Sequence, residues 1–161
     1  MAKVILICGT IASGKTYYAK ELIKKKQAVR LSVDDLAIAL FTTDAGDKHE
    51  AITKLIKAYL FAQSLEILET GLDVILDWGF WTKDARDEAR SFYERHGVKT
   101  ELHVLDTDKE TLVDRLKKRN KKIQDEAYNF YYFDDQLAKA FWSRFEKPNE
   151  DEADVWIRTR N

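Results

Sequence analysis

With 161 residues, 45% of them hydrophobic, the chain is long enough for one domain with a real core and short of two. Its 27 Lys and Arg against 28 Asp and Glu leave a net charge of −1, which disfavours long nucleic acid as a partner but permits a small phosphorylated ligand in a local pocket. A single cysteine, Cys8, excludes an intrachain disulfide framework, and His49, His96 and His103 share no spacing that builds a zinc site. No apolar run approaches membrane-spanning length, and the five-residue run VILIC leads into glycine and lysine instead of a signal-peptide core; the expectation is a cytoplasmic protein without a membrane.

Residues 3–8 (KVILIC) are continuously apolar, as in a strand buried on both faces. Residues 16–26 predict a helix whose closing lysines suit its C-terminus. A short strand at 28–32 and a short helix at 34–41 follow, then a polar break at 42–49. From Glu50 to Thr70 apolar residues recur at helical spacing, and Gly71 is a natural stop. Strands are expected at 72–77, 98–106 and 155–159, and helices at 83–96, 109–120 and 134–146, with an acidic connector at 146–154. Strands alternate with helices throughout. The fold class is therefore α/β, a doubly wound, mainly parallel five-stranded sheet with helices on both faces, over a single domain spanning 1–161.

Between the first strand and the first helix stands GTIASGKT (9–16), which matches G-x-x-x-x-G-K-S/T. Each type has a reason. Gly9 and Gly14 let the backbone of Thr10, Ile11, Ala12 and Ser13 wrap with N–H groups aimed at phosphates. Lys15 reaches the β- and γ-phosphates, the Thr16 hydroxyl suits Mg²⁺, and the helix N-terminus adds its dipole. The loop reads as a phosphate cradle, with ATP and Mg²⁺ as the expected cofactors.

Ligands of doubly wound sheets lie beyond the C-terminal strand ends, and several aspartates fall there. Asp77, closing VILD, is either a turn or cap residue or a Walker B-like carboxylate orienting the Mg²⁺ shell or a neighbouring basic group. Asp34 and Asp35 either cap the helix at 34–41 or offer a carboxylate that takes a proton from an attacking hydroxyl. For Asp106 a cap is the expectation. Arg115 and Arg119, four apart in the basic run 114–122, are either a solvated helix end or lid arginines closing on a moving phosphoryl group. The aromatic cluster YNFYYF (128–133) favours packing over base stacking, and Trp78, Trp81, Trp142 and Trp156 read as core or cleft wall.

Together these stretches resemble the small P-loop kinases related to the 5′-kinase domain of phage polynucleotide kinase, with zeta-toxin-like and chloramphenicol-phosphotransferase-like kinases as more distant relatives. The resemblance runs through VILICGTIASGKTYYAKEL (4–22), RLSVDDLAIAL (30–40), VILDWGFWTKDARDEAR (74–90), TELHVLDTDKETLVDRLKKRN (100–120) and FEKPNEDE (145–152). It implies that Asp34, the first of the adjacent pair, is the general base, that Asp77 takes the strand aspartate's place and that Arg115 and Arg119 are lid arginines, the lid spanning about 116–133. The sequence departs from that pattern at Ala12, where glycine is frequent, and at Ala37, where polynucleotide kinases carry an arginine for the acceptor's phosphate. The expected function is transfer of the γ-phosphoryl group of ATP to a hydroxyl of a small acceptor. The alternative is a P-loop ATPase or nucleotide-binding switch without an acceptor, although no N/T-K-x-D guanine motif is present.

Overall fold

The computed structural model describes residues 1–41, 46–126 and 131–160. Five strands, β1 (Val4–Cys8), β2 (Ala28–Leu31), β3 (Asp73–Gly79), β4 (Thr100–Thr107) and β5 (Val155–Thr159), form one sheet in the order β2-β3-β1-β4-β5. Every neighbouring pair is parallel. The order turns back at β1, so β1 lies at the centre and its C-terminal end is the switch point where such sheets bind ligands.

The crossovers are helical: α1 (Lys15–Lys25), α2 (Val33–Phe41), α3 (His49–Glu69), α4 (Lys83–Arg95), α5 (Lys109–Glu126) and α6 (Asp135–Ser143). The unbroken apolar run of β1 has a physical cause, because its alternating side chains feed two cores. Val4, Leu6 and Cys8 pack with Leu65 and Leu68 of α3 and Ala89 and Tyr93 of α4. Ile5 and Ile7 pack with Ala19, Leu22 and Tyr18 of α1 on the opposite face. All five residues are fully buried, and each large aliphatic among them contributes about 1.5–3 kcal/mol of transfer free energy.

Three boundaries differ from the sequence expectation in ways that matter for the site. β3 continues past Asp77 to Gly79, because Trp78 packs against Phe61 and Phe80 and keeps the chain extended. β4 runs to Thr107, paired with β5 through Asp106↔Arg158 and Thr107↔Thr159, so the turn into α5 falls one residue later. α5 does not stop at 120 but continues to Glu126, with no proline or glycine to break it. The helix expected over 134–146 ends earlier, at Ser143, and the polar break at 42–49 holds a short 3-10 turn at Gly46–Lys48.

Candidate active site

The phosphate-loop sequence occupies the junction of β1 and α1. Gly14 adopts φ 97°, and Ala12 adopts φ 62°. For an L-residue that left-handed conformation costs roughly 1–2 kcal/mol, so the loop holds Ala12 against its own preference. Gly9 answers a close approach instead, since a Cβ there would stand 2.5 Å from Ser13 Oγ.

What holds the loop is a set of donors to its carbonyl oxygens. The indole N–H of Trp81 donates to Gly9 O (3.1 Å) and that of Trp142 to Ile11 O (3.4 Å). Arg115 Nη1 and Thr107 Oγ1 both donate to Ser13 O, at 3.1 and 3.2 Å. Lys15 Nζ donates to Thr10 O at 2.7 Å. Lys15 is half-buried, and desolvation of its ammonium pulls its pKa below the usual lysine value, against the opposing pull of Asp77 and Asp34. Thr10 Oγ1, Ser13 Oγ and the Arg119 Nε and Nη2 atoms are buried without partners among the described residues. Buried donors left open in one place are what an anionic ligand satisfies.

The aspartates separate into distinct environments. Ser32, not an aspartate, caps α2: its Oγ accepts from Asp35 N (3.2 Å) and its carbonyl from Leu36 N (3.3 Å). Both carboxylates of the pair are thereby free of backbone duty. Asp35 pairs with Arg30 Nη1 at 2.6 Å. The same guanidinium reaches across to β3, where Arg30 Nε and Nη2 approach Asp77 Oδ2 at 2.9 and 2.8 Å. Asp77 is buried inside the strand and caps nothing. Asp34 opens into the cavity and has no ion pair among the described residues. Although the residue is exposed at the cavity mouth, partial desolvation pushes its pKa upward from the usual carboxylate value, with Asp77 and Asp35 adding to the rise and Lys15 opposing it.

Asp106 corrects the sequence reading. It lies within β4, where it pairs with Lys147 (2.9 Å) and accepts from Trp156 Nε1 (3.3 Å). The cap of α5 is Asp108, two residues on, whose Oδ1 accepts from Thr111 N at 2.8 Å. The extra strand residues displace the turn.

Arg115 and Arg119 share the inner face of α5 and line the same cavity as Lys15 and Asp34. Arg119 also lies 5.3 Å over the Phe133 ring. Of the aromatic cluster, Tyr128, Asn129 and Phe130 fall outside the described residues; Tyr131 and Phe133 face the cavity, and Phe133 packs edge-on against Phe141. Ala37 is buried against Ile56 and Leu60 of α3, so no side chain projects from that position into the cleft.

Sequence reasoning missed Arg30, the donor roles of Trp81 and Trp142, and Arg86. Arg86, 1% exposed, pairs with Glu152 (2.6 Å) and donates to Phe80 O (3.2 Å) and Glu146 O (3.0 Å). It anchors the turn after β3, where Phe80 sits at φ 45° next to the loop. The one signal for Arg30 was a charged residue inside the otherwise apolar AVRL, in a strand paired directly with β3.

The cavity enclosed by these elements has a volume of about 1380 Å³. A site for one small ligand commonly occupies about 300–1,000 Å³, so there is room for a nucleotide and a second molecule. Among the described residues no helix is long and apolar enough to cross a membrane.

No curated protein matches the chain. Solved structures do. A protein from Chloroflexus aurantiacus j-10-fl named as a putative kinase superposes with a TM-score of 0.74 at 14% identity, over 98% of this chain and 87% of that one. The Mycobacterium tuberculosis APS kinase CysC, in complex with AMPPNP and APS, gives 0.67 at 19% identity, over 99% and 90%. A chain of the Pnkp1/Rnl/Hen1 RNA repair complex gives 0.66 at 21% identity; the match covers 89% of this chain but only 43% of that longer one. At these identities the likeness is one of fold: a nucleotide-binding P-loop kinase fold. The AAA domain family model AAA_33 matches residues 4–141, and the chain belongs to that family.

Proposed function

We propose that the protein is an ATP-dependent phosphotransferase that moves the γ-phosphoryl group of ATP to a hydroxyl of a small acceptor, acting as one kinase-like domain over 1–161 with a lid at about 116–133. The observation that carries this reading is the placement of a carboxylate with no ion pair among the described residues, Asp34, in the same cavity as Lys15 of the phosphate loop. A hydrolytic switch has no need of a base on the acceptor side of its cavity. A kinase does.

In this reading the Gly9–Gly14 loop cradles the phosphates, and Lys15 leaves Thr10 O to bind the β- and γ-phosphates. Arg119, whose two unpartnered nitrogens stand in the same cavity, and Arg115 offset the charge spread over the transferring group. Asp34 accepts the proton of the attacking hydroxyl as its oxygen bonds to the γ-phosphorus and the bond to the bridging oxygen of ADP breaks. The Thr16 hydroxyl and the Asp77 carboxylate form an all-oxygen donor set that fits Mg²⁺, with Arg30 holding Asp77 in place. Held by these two residues, Mg²⁺ would supply neutralisation of the negative charge that develops on the phosphates. The absence of a side chain reaching from Ala37, and the net charge of −1, favour a small acceptor over a nucleic-acid end.

The test is ADP release measured with and without candidate hydroxyl compounds, in wild type and Asp34→Asn. The reading expects acceptor-stimulated turnover that Asp34→Asn removes while nucleotide affinity persists. Normal transfer by Asp34→Asn to the true acceptor would remove Asp34 from its role.

A further inference from the structure

The cavity has two unlike ends. The end opposite the phosphate loop is bounded by α2, α3, the turn after β3 and the start of α4, and no arginine lines it among the described residues. Its charged groups beyond Asp34 and the Arg30-bound Asp35 are Lys57 of α3 and Glu88 of α4, with the His49 ring beside them. Neither Lys57 nor Glu88 is in an ion pair with the other, and together they leave this end without a net cationic clamp. An acceptor already carrying phosphate or sulfate would bring about two negative charges next to the triphosphate, and sites for such groups use bidentate guanidinium donors.

What this end has instead is aromatic surface. Trp78 stacks on Phe80 (5.7 Å between ring centres, 16° between planes), and Phe61 meets Trp78 edge-on at 4.8 Å. All three line the cavity, and Tyr131 faces them from the lid side, held edge-on to His49 at 5.4 Å. Two polar atoms in this wall, Trp78 Nε1 and Tyr131 Oη, are buried with no partner among the described residues. An indole N–H taken from water without a partner is unfavourable, and a ligand acceptor atom at that point offsets the cost.

We infer that the phosphoryl acceptor is an uncharged alcohol carried on a flat ring, the ring lying against Trp78 and Phe61 and a ring-borne oxygen or nitrogen accepting from the Trp78 indole N–H. This rests on the phosphotransferase reading and names the class of its acceptor. The transfer is balanced: the alcohol oxygen bonds to the γ-phosphorus, the phosphorus–oxygen bond to ADP breaks, and the alcohol proton goes to Asp34.

The experiment uses the full chain with two ring-bearing probes, uridine and 4-nitrobenzyl alcohol, and two ring-poor anionic probes, gluconate and glycerol 3-phosphate. Saturation-transfer NMR with a non-hydrolysable ATP analogue bound reads occupancy, and transfer of label from γ-labelled ATP reads chemistry. The expected result is ring-proton saturation for at least one ring probe, weakened about tenfold by Trp78→Ala, since stacking on an aromatic side chain is worth about 1–3 kcal/mol. Trp78→Phe, which keeps the packing, is expected to weaken it about fivefold through the lost N–H donor. Lys57→Gln is expected to leave ring-probe binding within twofold. Label moving to gluconate or glycerol 3-phosphate, with tenfold loss in Lys57→Gln, overturns the aromatic acceptor and keeps the phosphotransferase. Failure of both ring probes to bind also overturns it. Ring probes that bind while no probe takes label would overturn the phosphotransferase reading and leave an aromatic ligand site.

Discussion

The two ends of the cavity are built on opposite plans. At the phosphate-loop end the carbonyls of Gly9, Thr10, Ile11 and Ser13 each accept from a side chain, and backbone geometry is fixed even at the cost of a left-handed Ala12. At the far end, ring surfaces meet both stacked and edge-on, and the indole N–H of Trp78 has no hydrogen-bond partner among the described residues. A nucleotide triphosphate is always the same object, so its grip is made of preorganised donors. An acceptor end built from packed rings sets its preference by shape and contact, which a few substitutions can alter.

The comparison is most sharply tested at the fixed end. Lys15→Ala is expected to lower turnover by about 10²–10³-fold, the scale for losing one preorganised charge-stabilising donor. Steady-state ADP release on a folded variant checks this, and a loss below fivefold would mean the loop does not hold the reacting phosphates. Asp34→Asn is expected to cost about 10²–10⁴-fold in transfer, while the affinity for ATP measured by calorimetry stays within a few-fold.

Asp34 also makes a signed prediction with pH. Its folded-state pKa lies above the unfolded value, chiefly through desolvation, so its contribution to stability is present below the unfolded pKa and is lost as pH rises through the folded one. Near neutrality the ionised carboxylate therefore costs some stability, kept small by the solvent that reaches this exposed residue, and Asp34→Asn is expected to melt slightly higher than wild type. That gain should shrink as pH falls toward the usual carboxylate range. A variant that melts lower at pH 7 contradicts the desolvation account. For the same reason the acid limb of kcat should lie above the range of an ordinary aspartate.

Between the two ends, Arg86 ties Glu152 and the carbonyls of Phe80 and Glu146. Removing one partner of a buried pair costs about 3–5 kcal/mol, so Arg86→Met is expected to lower denaturant stability by that amount. A change under 1 kcal/mol would show the pair to be dispensable. The smallest effects belong to the indoles. Trp81→Phe and Trp142→Phe each remove one net hydrogen bond of about 0.5–1.5 kcal/mol, raising the nucleotide Kd about two- to tenfold, more for the 3.1 Å contact of Trp81 than for the 3.4 Å contact of Trp142.

Much of the fixed end is legible in sequence because it is local. The loop, Lys15 and Thr16 are contiguous, and the strand before them announces itself by an apolar run that only a two-sided core produces. Asp34 and Asp77 were marked by position after or within strands. Their division of labour was not, because it depends on Arg30, which joins Asp35 to Asp77 across two strands and leaves Asp34 alone. Trp81 and Trp142 lie 72 and 131 residues from the carbonyls they serve, separations that no local pattern records. Asp106 misled for the opposite reason: an aspartate closing an apolar run looks like a turn until pairing with β5 extends the strand past it.

Trp142 has one practical consequence. The family match ends at residue 141, which is where a truncated expression boundary would naturally be drawn. A chain cut there would keep every residue of GTIASGKT and lose the donor to Ile11 O, the Glu152 partner of Arg86 and the edge strand β5. The shortened protein would retain its signature and loosen the loop, and weak nucleotide binding by such a fragment would report the cut and not the longer chain.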